Sequence, residues 1–182
     1  MQTPMPKLKV LFLCTGNSCR SQMAEGWARA LKGDVIEAYS AGIEKHGMNP
    51  HAVKVMGEAG VDISKQYSKT TAEIGPVQFD YVVTVCGHAN ENCPIFPGKA
   101  KKVHVGFEDP PKLTKHLPDG EEKLAVYRRV RDEIRAFVEK LPDVLTKSET
   151  QNPNAEGSPT RLRLATARQE SEGRSKKKGT RT

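Results

Sequence analysis

The chain has 182 residues, 29 Lys and Arg against 22 Asp and Glu, a formal net charge of +7, and only 5% aromatic residues. That length suits one domain with a modest core, and no apolar stretch reaches the roughly 18 residues that a membrane-spanning helix needs. The surplus charge sits at one end: residues 147–182 hold nine Lys/Arg and four Asp/Glu, so the rest of the chain is close to neutral.

The first apolar run, residues 8–13, is near-continuous, as expected of a strand buried on both faces of a parallel sheet. It is too short for a signal-peptide core and leads straight into Gly16, Asn17 and Ser18, so a cytoplasmic location is expected. Residues 21–31 then read as a helix with Met23, Trp27 and Leu31 on one face. A second strand is expected at 35–39. A helix at 50–59 opens on Pro50 and stops at Gly60. Two more strands are expected at 81–85 and 103–105.

The strongest helical pattern covers 121–141. Asp119 and Glu122 suggest a capping box, and Leu124, Tyr127, Val130, Ile134, Phe137, Val138 and Leu141 form the apolar stripe, which Pro142 should end. Alternating strands and helices imply an α/β fold, an open sheet of four parallel strands with right-handed crossovers. That domain is expected over 1–146. Residues 147–182 carry two Leu as their only large apolar side chains and no aromatics, so they are expected to form a disordered basic tail.

Chemistry-bearing residues cluster where strands end. Cys14-Thr-Gly-Asn-Ser-Cys-Arg20 places a thiol and a guanidinium five residues apart, a weak signal by spacing alone. Its position between a strand and a helix strengthens it. Loop amides and a helix N-terminus there point above the carboxyl edge of the sheet, where open α/β folds bind ligands. Gly16 and Asn17 tolerate the left-handed backbone of such a cradle. Arg20 can grip a tetrahedral oxyanion with two parallel hydrogen bonds. The same positive field favours a Cys14 thiolate, and Ser21 can donate a hydrogen bond to it. Thr15, Gly16, Asn17, Ser18, Cys19, Arg20 and Ser21 are thus the expected anion-binding set, with Cys19 itself chiefly structural.

A second thiol, Cys86, ends the third strand at the same edge, and a polar, glycine-containing stretch of six residues, expected to be mobile, separates it from Cys93. The two sulfurs could swing together into a disulfide. A four-cysteine zinc site or two unconnected buried thiols are the competing readings, although the spacings are unlike the usual structural zinc pairs. After the fourth strand, Gly106-Phe-Glu-Asp-Pro-Pro111 holds Asp109 in a rigid turn at that edge; Glu108 is the alternative carboxylate.

The run Leu11-Phe-Leu-Cys-Thr-Gly-Asn-Ser-Cys-Arg-Ser-Gln-Met-Ala-Glu25 resembles the signature of the low-molecular-weight tyrosine-phosphatase fold, and more narrowly that of the arsenate reductases built on it. The likeness covers residues 7–141 and includes Tyr39-Ser-Ala-Gly-Ile43, Asn49-Pro50 and Arg128-Arg-Val-Arg-Asp-Glu-Ile134. It implies a three-layer fold with Cys14 as nucleophile and Asp109 as general acid. Cys86, six residues and Cys93-Pro94 match the thioredoxin-coupled reductases of this group, which implies an arsenate substrate and a disulfide relay from Cys14–Cys86 to Cys86–Cys93. A thioredoxin-like protein would then reduce the relay. No organic cofactor and no resident metal are expected, and the chain is expected to act as a monomer.

One departure is informative. Related reductases hold potassium near the loop; Asn17, Glu25 and Ser40 match that pattern, but Tyr67 and Lys69 replace a threonine and an aspartate. A lysine ammonium can occupy the cation position itself, so no potassium dependence is expected. A tyrosine phosphatase using Cys14, Arg20 and Asp109 is the nearest alternative; Gln22 in place of the usual proline, and the Cys86/Cys93 pair, argue against it. A nucleic-acid role for the basic tail lacks the aromatic residues that stacking on bases requires.

Overall fold

Two short runs rich in Val and Leu offer water almost no polar face and become central strands, and two more polar runs pair with them at the edges. In a computed structural model that describes residues 6–150, these are β1 (Leu8–Cys14), β2 (Ile36–Gly42), β3 (Tyr81–Thr84) and β4 (Lys101–His104). They form one parallel sheet in the order β2-β1-β3-β4. Register is fixed along β1, where Leu13 aligns with Ala41 on one side and Thr84 on the other.

Helices cover the sheet: α1 (Arg20–Lys32), α2 (Pro50–Glu58), α3 (Thr71–Ile74), α4 (Gly87–Glu91), α5 (Pro110–Leu113), α6 (Glu121–Val138) and α7 (Asp143–Thr150). Asn49 caps α2 by accepting the amide protons of His51 and Ala52, and Gly60, at φ +82°, takes the left-handed turn beyond it. Helix α6 packs its predicted stripe, Leu124 through Val138, against α1 and α2.

Several expectations need correction. Gly120, not Asp119, is the N-cap of α6, and no side chain caps it; Asp119 instead meets Lys123 at 2.8 Å and His51 at 3.1 Å. These two side chains take the place of a backbone amide as partners of that carboxylate. Leu31, in the last turn of α1, stays more than a third exposed rather than joining the buried face with Met23 and Trp27. Pro142 does not end helical structure: it precedes α7, a place proline tolerates well. Leu145 is fully buried, giving α7 an apolar anchor, so helix continues across the boundary expected at 146/147. The tail expected to be disordered lies, from residue 151 on, outside the described residues.

Candidate active site

All four strands point their carboxyl ends at one edge, and the loop after β1 occupies its centre. Cys14 closes β1 with 3% of its surface exposed. Its Sγ accepts the Asn17 amide proton at 3.2 Å and lies 2.9 Å from the Ser21 hydroxyl. Both contacts fix the sulfur inside the loop. Asn17 adopts φ +45°, the left-handed turn that aims its amide inward.

Asn17 is also the keystone of the loop. Fully buried, its side chain donates to Ser21 at 2.9 Å and Ser40 at 3.0 Å, and accepts from Gln22 at 2.9 Å and the Lys69 amide at 2.9 Å. Gln22 adds a bond to the Asn17 carbonyl at 3.0 Å and is itself tied to Gln66 at 2.6 Å. With every polar atom of Asn17 engaged, the loop has little freedom. Gly42, at the end of β2, lets the loop lie this close: a Cβ there would stand 2.8 Å from the Asn17 nitrogen and 2.1 Å from the Glu44 carbonyl.

Arg20 donates to the Phe107 carbonyl at 3.0 Å and meets Asp109 at 3.5 Å. The expected guanidinium and carboxylate are thus side by side at the loop. Glu108, the alternative carboxylate, turns outward to Arg129 at 2.5 Å. Cys19 is buried at the N-cap of α1; burial and the neighbouring Cys14 push its thiol well above the usual range, which suits a structural residue.

The second thiol sits one strand over. Pairing of Leu13 with Thr84 sets Cys14 beside Val85, one residue short of Cys86. Neighbouring strands run roughly 4.8 Å apart, within the ~7 Å reach of a disulfide between Cα atoms. The Cys86 Sγ accepts the Ala89 amide proton at 3.4 Å and lies 3.4 Å from the Thr15 hydroxyl. The stretch to Cys93, expected to be mobile, contains α4, with Ala89 buried and Cys86 as N-cap. Alanine favours a turn of helix there once Ala89 finds a place in the core. Cys93 follows α4, half-buried; burial raises its thiol and Lys102 partly opposes this. All four cysteines are free thiols. Among the described residues, no group of three or more His, Cys, Asp or Glu could hold a metal ion.

Behind the loop, Glu25 is 1% exposed. It accepts a short hydrogen bond from Ser40 and pairs with Arg29, and the Lys69 ammonium lies 3.7 Å away. Lys69 also donates to the Tyr67 carbonyl at 3.3 Å. A resident potassium ion does not fit this arrangement, since an ammonium already faces the carboxylate. Burial pulls the Lys69 amine down and Glu25 opposes that shift.

Residues 9–151 match the family described as low molecular weight phosphotyrosine protein phosphatase. The chain belongs to that family. Its similarity is strongest toward one group within it. An arsenate reductase of Halalkalibacterium halodurans is 55% identical over 130 residues, covering 71% of this chain and 91% of the relative. A solved arsenate reductase in a phosphate-binding state superposes with TM-score 0.57 at 31% identity, covering 77% of this chain and 98% of that one. A thioredoxin-dependent arsenate reductase of Corynebacterium glutamicum gives TM-score 0.53 at 27% identity, over 80% of this chain and 65% of that one. No helix among the described residues is long and apolar enough to cross a membrane.

Sequence reasoning missed three supports. Ser68 donates to the Gly16 carbonyl at 2.9 Å, Gln22 and Gln66 brace Asn17, and His88 reaches Thr15 at 3.4 Å. Only Gln22 carried a signal, as a departure from the phosphatase pattern.

Proposed function

We propose that the protein reduces arsenate to arsenite through a relay of three thiols. The observation that carries this reading is the Cys86 sulfur at the shoulder of the Cys14 loop, 3.4 Å from Thr15. A phosphatase has no use for a second thiol there.

Arsenate, shaped and charged like phosphate, binds the cradle of Thr15, Gly16, Asn17, Ser18, Cys19, Arg20 and Ser21. The loop amides and Arg20 balance its oxygens. Cys14 attacks arsenic while Asp109 protonates the departing oxygen. Cys86 attacks the Cys14 sulfur; the sulfur–arsenic bond breaks, its electron pair leaves on arsenic as arsenite, and a Cys14–Cys86 disulfide remains. Cys93 then displaces Cys14 from that disulfide. Cys86 caps the start of α4 and Cys93 lies beyond its end, so this segment must rearrange for the two sulfurs to meet. Half-buried Cys93 then becomes the exit to a thioredoxin-like reductant. Four free thiols suit a reducing cytoplasm.

The test is arsenite production by purified protein with thioredoxin, thioredoxin reductase and NADPH, comparing wild type with Cys86→Ser. Continuous turnover in wild type and none in the variant supports the relay. No arsenate reduction, with aryl phosphate hydrolysis that survives Cys86→Ser, makes the protein a phosphatase.

A further inference from the structure

Attack by Cys86 requires a thiolate, yet Cys86 is only 5% exposed. Its proton needs a route. The Cys86 Sγ lies 3.4 Å from the Thr15 hydroxyl, and that hydroxyl lies 3.4 Å from Nδ1 of His88. Thiol, hydroxyl and imidazole thus form a continuous chain from a buried sulfur to an exposed ring. Of the three groups, only the imidazole both accepts a proton near neutrality and opens to water, where the proton can be discharged.

We propose that His88 takes up the proton that Cys86 loses, acting through the Thr15 hydroxyl, and that it thereby sets the rate of arsenite release. The proposal rests on the relay reading. In the step, Thr15 passes its hydroxyl proton to His88 Nδ1 as it receives the thiol proton of Cys86. The Cys86 thiolate forms the bond to Cys14 Sγ, the Cys14–arsenic bond breaks, and its electron pair reduces arsenic from the pentavalent to the trivalent state. The two sulfurs are oxidised to the disulfide and His88 ends as an imidazolium, which loses its proton to solvent. Because His88 works through Thr15, it is a positioning residue with a proton-accepting role.

The surroundings permit that role. Helix α4 packs against β1 and β3. Beside α4, β1 ends at Cys14, while Lys9 of β1 and Tyr81 of β3 lie toward the far ends of their strands; Cys86 caps α4, Glu91 follows on it, and Lys102 reaches it from β4 at the Asn90 carbonyl. Placing His88 on α4 also couples the two halves of the relay: once this segment rearranges for Cys93, the imidazole leaves Thr15 and its task is over.

The experiment uses the full chain carrying Cys93→Ser, which stops after one turnover, and follows arsenite release by rapid quench from mildly acid to mildly alkaline pH. His88→Ala and His88→Gln are compared with that background as rate ratios, so the titration of arsenate cancels. Both variants should be about 10- to 100-fold slower near neutrality, the low end of general-base contributions. The gap should close toward alkaline pH, where water and hydroxide take the proton unaided. If His88→Gln matches the background at every pH, a hydrogen-bond acceptor suffices and the proton transfer is wrong. If both variants are slow by a factor that does not change with pH, the role is structural and the proposal is likewise overturned. Cys86→Ser on the same background distinguishes the two levels: arsenite released without Cys86 removes the relay itself, whatever His88 does.

Discussion

The Cys14 loop and the segment from Cys86 to Cys93 hold the same functional group in opposite ways. Around Cys14, Asn17 alone gathers four side-chain and backbone partners, and Gln22, Ser40 and Ser68 fasten the rest. Around Cys86, a five-residue helix is held by one buried alanine and few side-chain contacts: the Cys86 sulfur with the Ala89 amide at 3.4 Å, Thr84 with Asn90 at 3.3 Å, and a short bond from Lys102 to the Asn90 carbonyl. A site that must stabilise charge at fixed points gains from preorganisation. A site that must deliver a sulfur to two successive partners gains from being easy to undo.

The sharpest way to break this contrast is at the far end of the segment from Cys86 to Cys93. Cys93→Ser should leave one arsenite per enzyme and abolish sustained turnover, a loss of at least about 10³-fold in steady state if nothing else resolves the disulfide. Counting arsenite against enzyme checks it; sustained turnover in that variant would sink the relay.

Next in size is the rigid side. Asn17→Ala removes four bonds from a buried network and leaves alanine at φ +45°, so several kcal/mol of loop order should be lost. We expect kcat/KM for arsenate to fall about 100-fold, with a lower melting temperature. A change within threefold would mean the loop does not depend on its keystone.

The third prediction concerns pH. Burial raises the Cys93 thiol above its ordinary value, so the thiol keeps its proton through the neutral range and little thiolate is present. A reaction that needs that thiolate therefore accelerates as pH rises, by about tenfold per unit until the titration is passed. Multiple-turnover rates at saturating reductant should show this rise, and single-turnover rates in Cys93→Ser should lack it. A smaller effect is expected at Gly87. A Cβ there meets nothing within 4 Å, and alanine favours helix over glycine by up to about 1 kcal/mol. Gly87→Ala should slow Cys86–Cys93 disulfide formation by up to about fivefold and leave the first attack on arsenate alone, as stopped-flow and quench measurements would show.

How much of this was legible in the sequence follows the same divide. Strand order aside, the sheet could be read from its apolar runs, because a strand buried on both faces leaves no polar positions to confuse the period. Cys14 and Arg20 could be read from their place after a strand, and Asp109 only through the family resemblance. The short helices could not. Helix α4 has five residues, too few for a periodic signal, and forms because Ala89 finds a buried place beside β1 and β3. Helix α7 was hidden behind Pro142, whose meaning as a stop or a start depends on whether Leu145 meets a core. Gly42 and Gln22 stood in plain view, but their purpose appears only when the loop is seen folding back on both.

The smallest expected effect is a null one, and it bears on why the loop side is so rigid. Lys69 presents its ammonium to Glu25, which holds Ser40, which in turn meets the Asn17 side chain. The chain of contacts therefore carries its own cation to the back of the loop. A free potassium ion would have to displace a tethered charge that never leaves by dilution, and a singly charged ion has no electrostatic advantage over the ammonium already there. Exchanging potassium for sodium at constant ionic strength should change kcat/KM less than twofold. Removing the tether should show what it does: Lys69→Ala leaves Glu25 buried with Arg29 as its remaining cation, and melting temperature should fall by the few degrees that about 1–2 kcal/mol represents in a domain of this size. Strong potassium activation of the wild type would mean that Lys69 swings aside in solution, and that the loop is less fixed at its base than its hydrogen bonds imply.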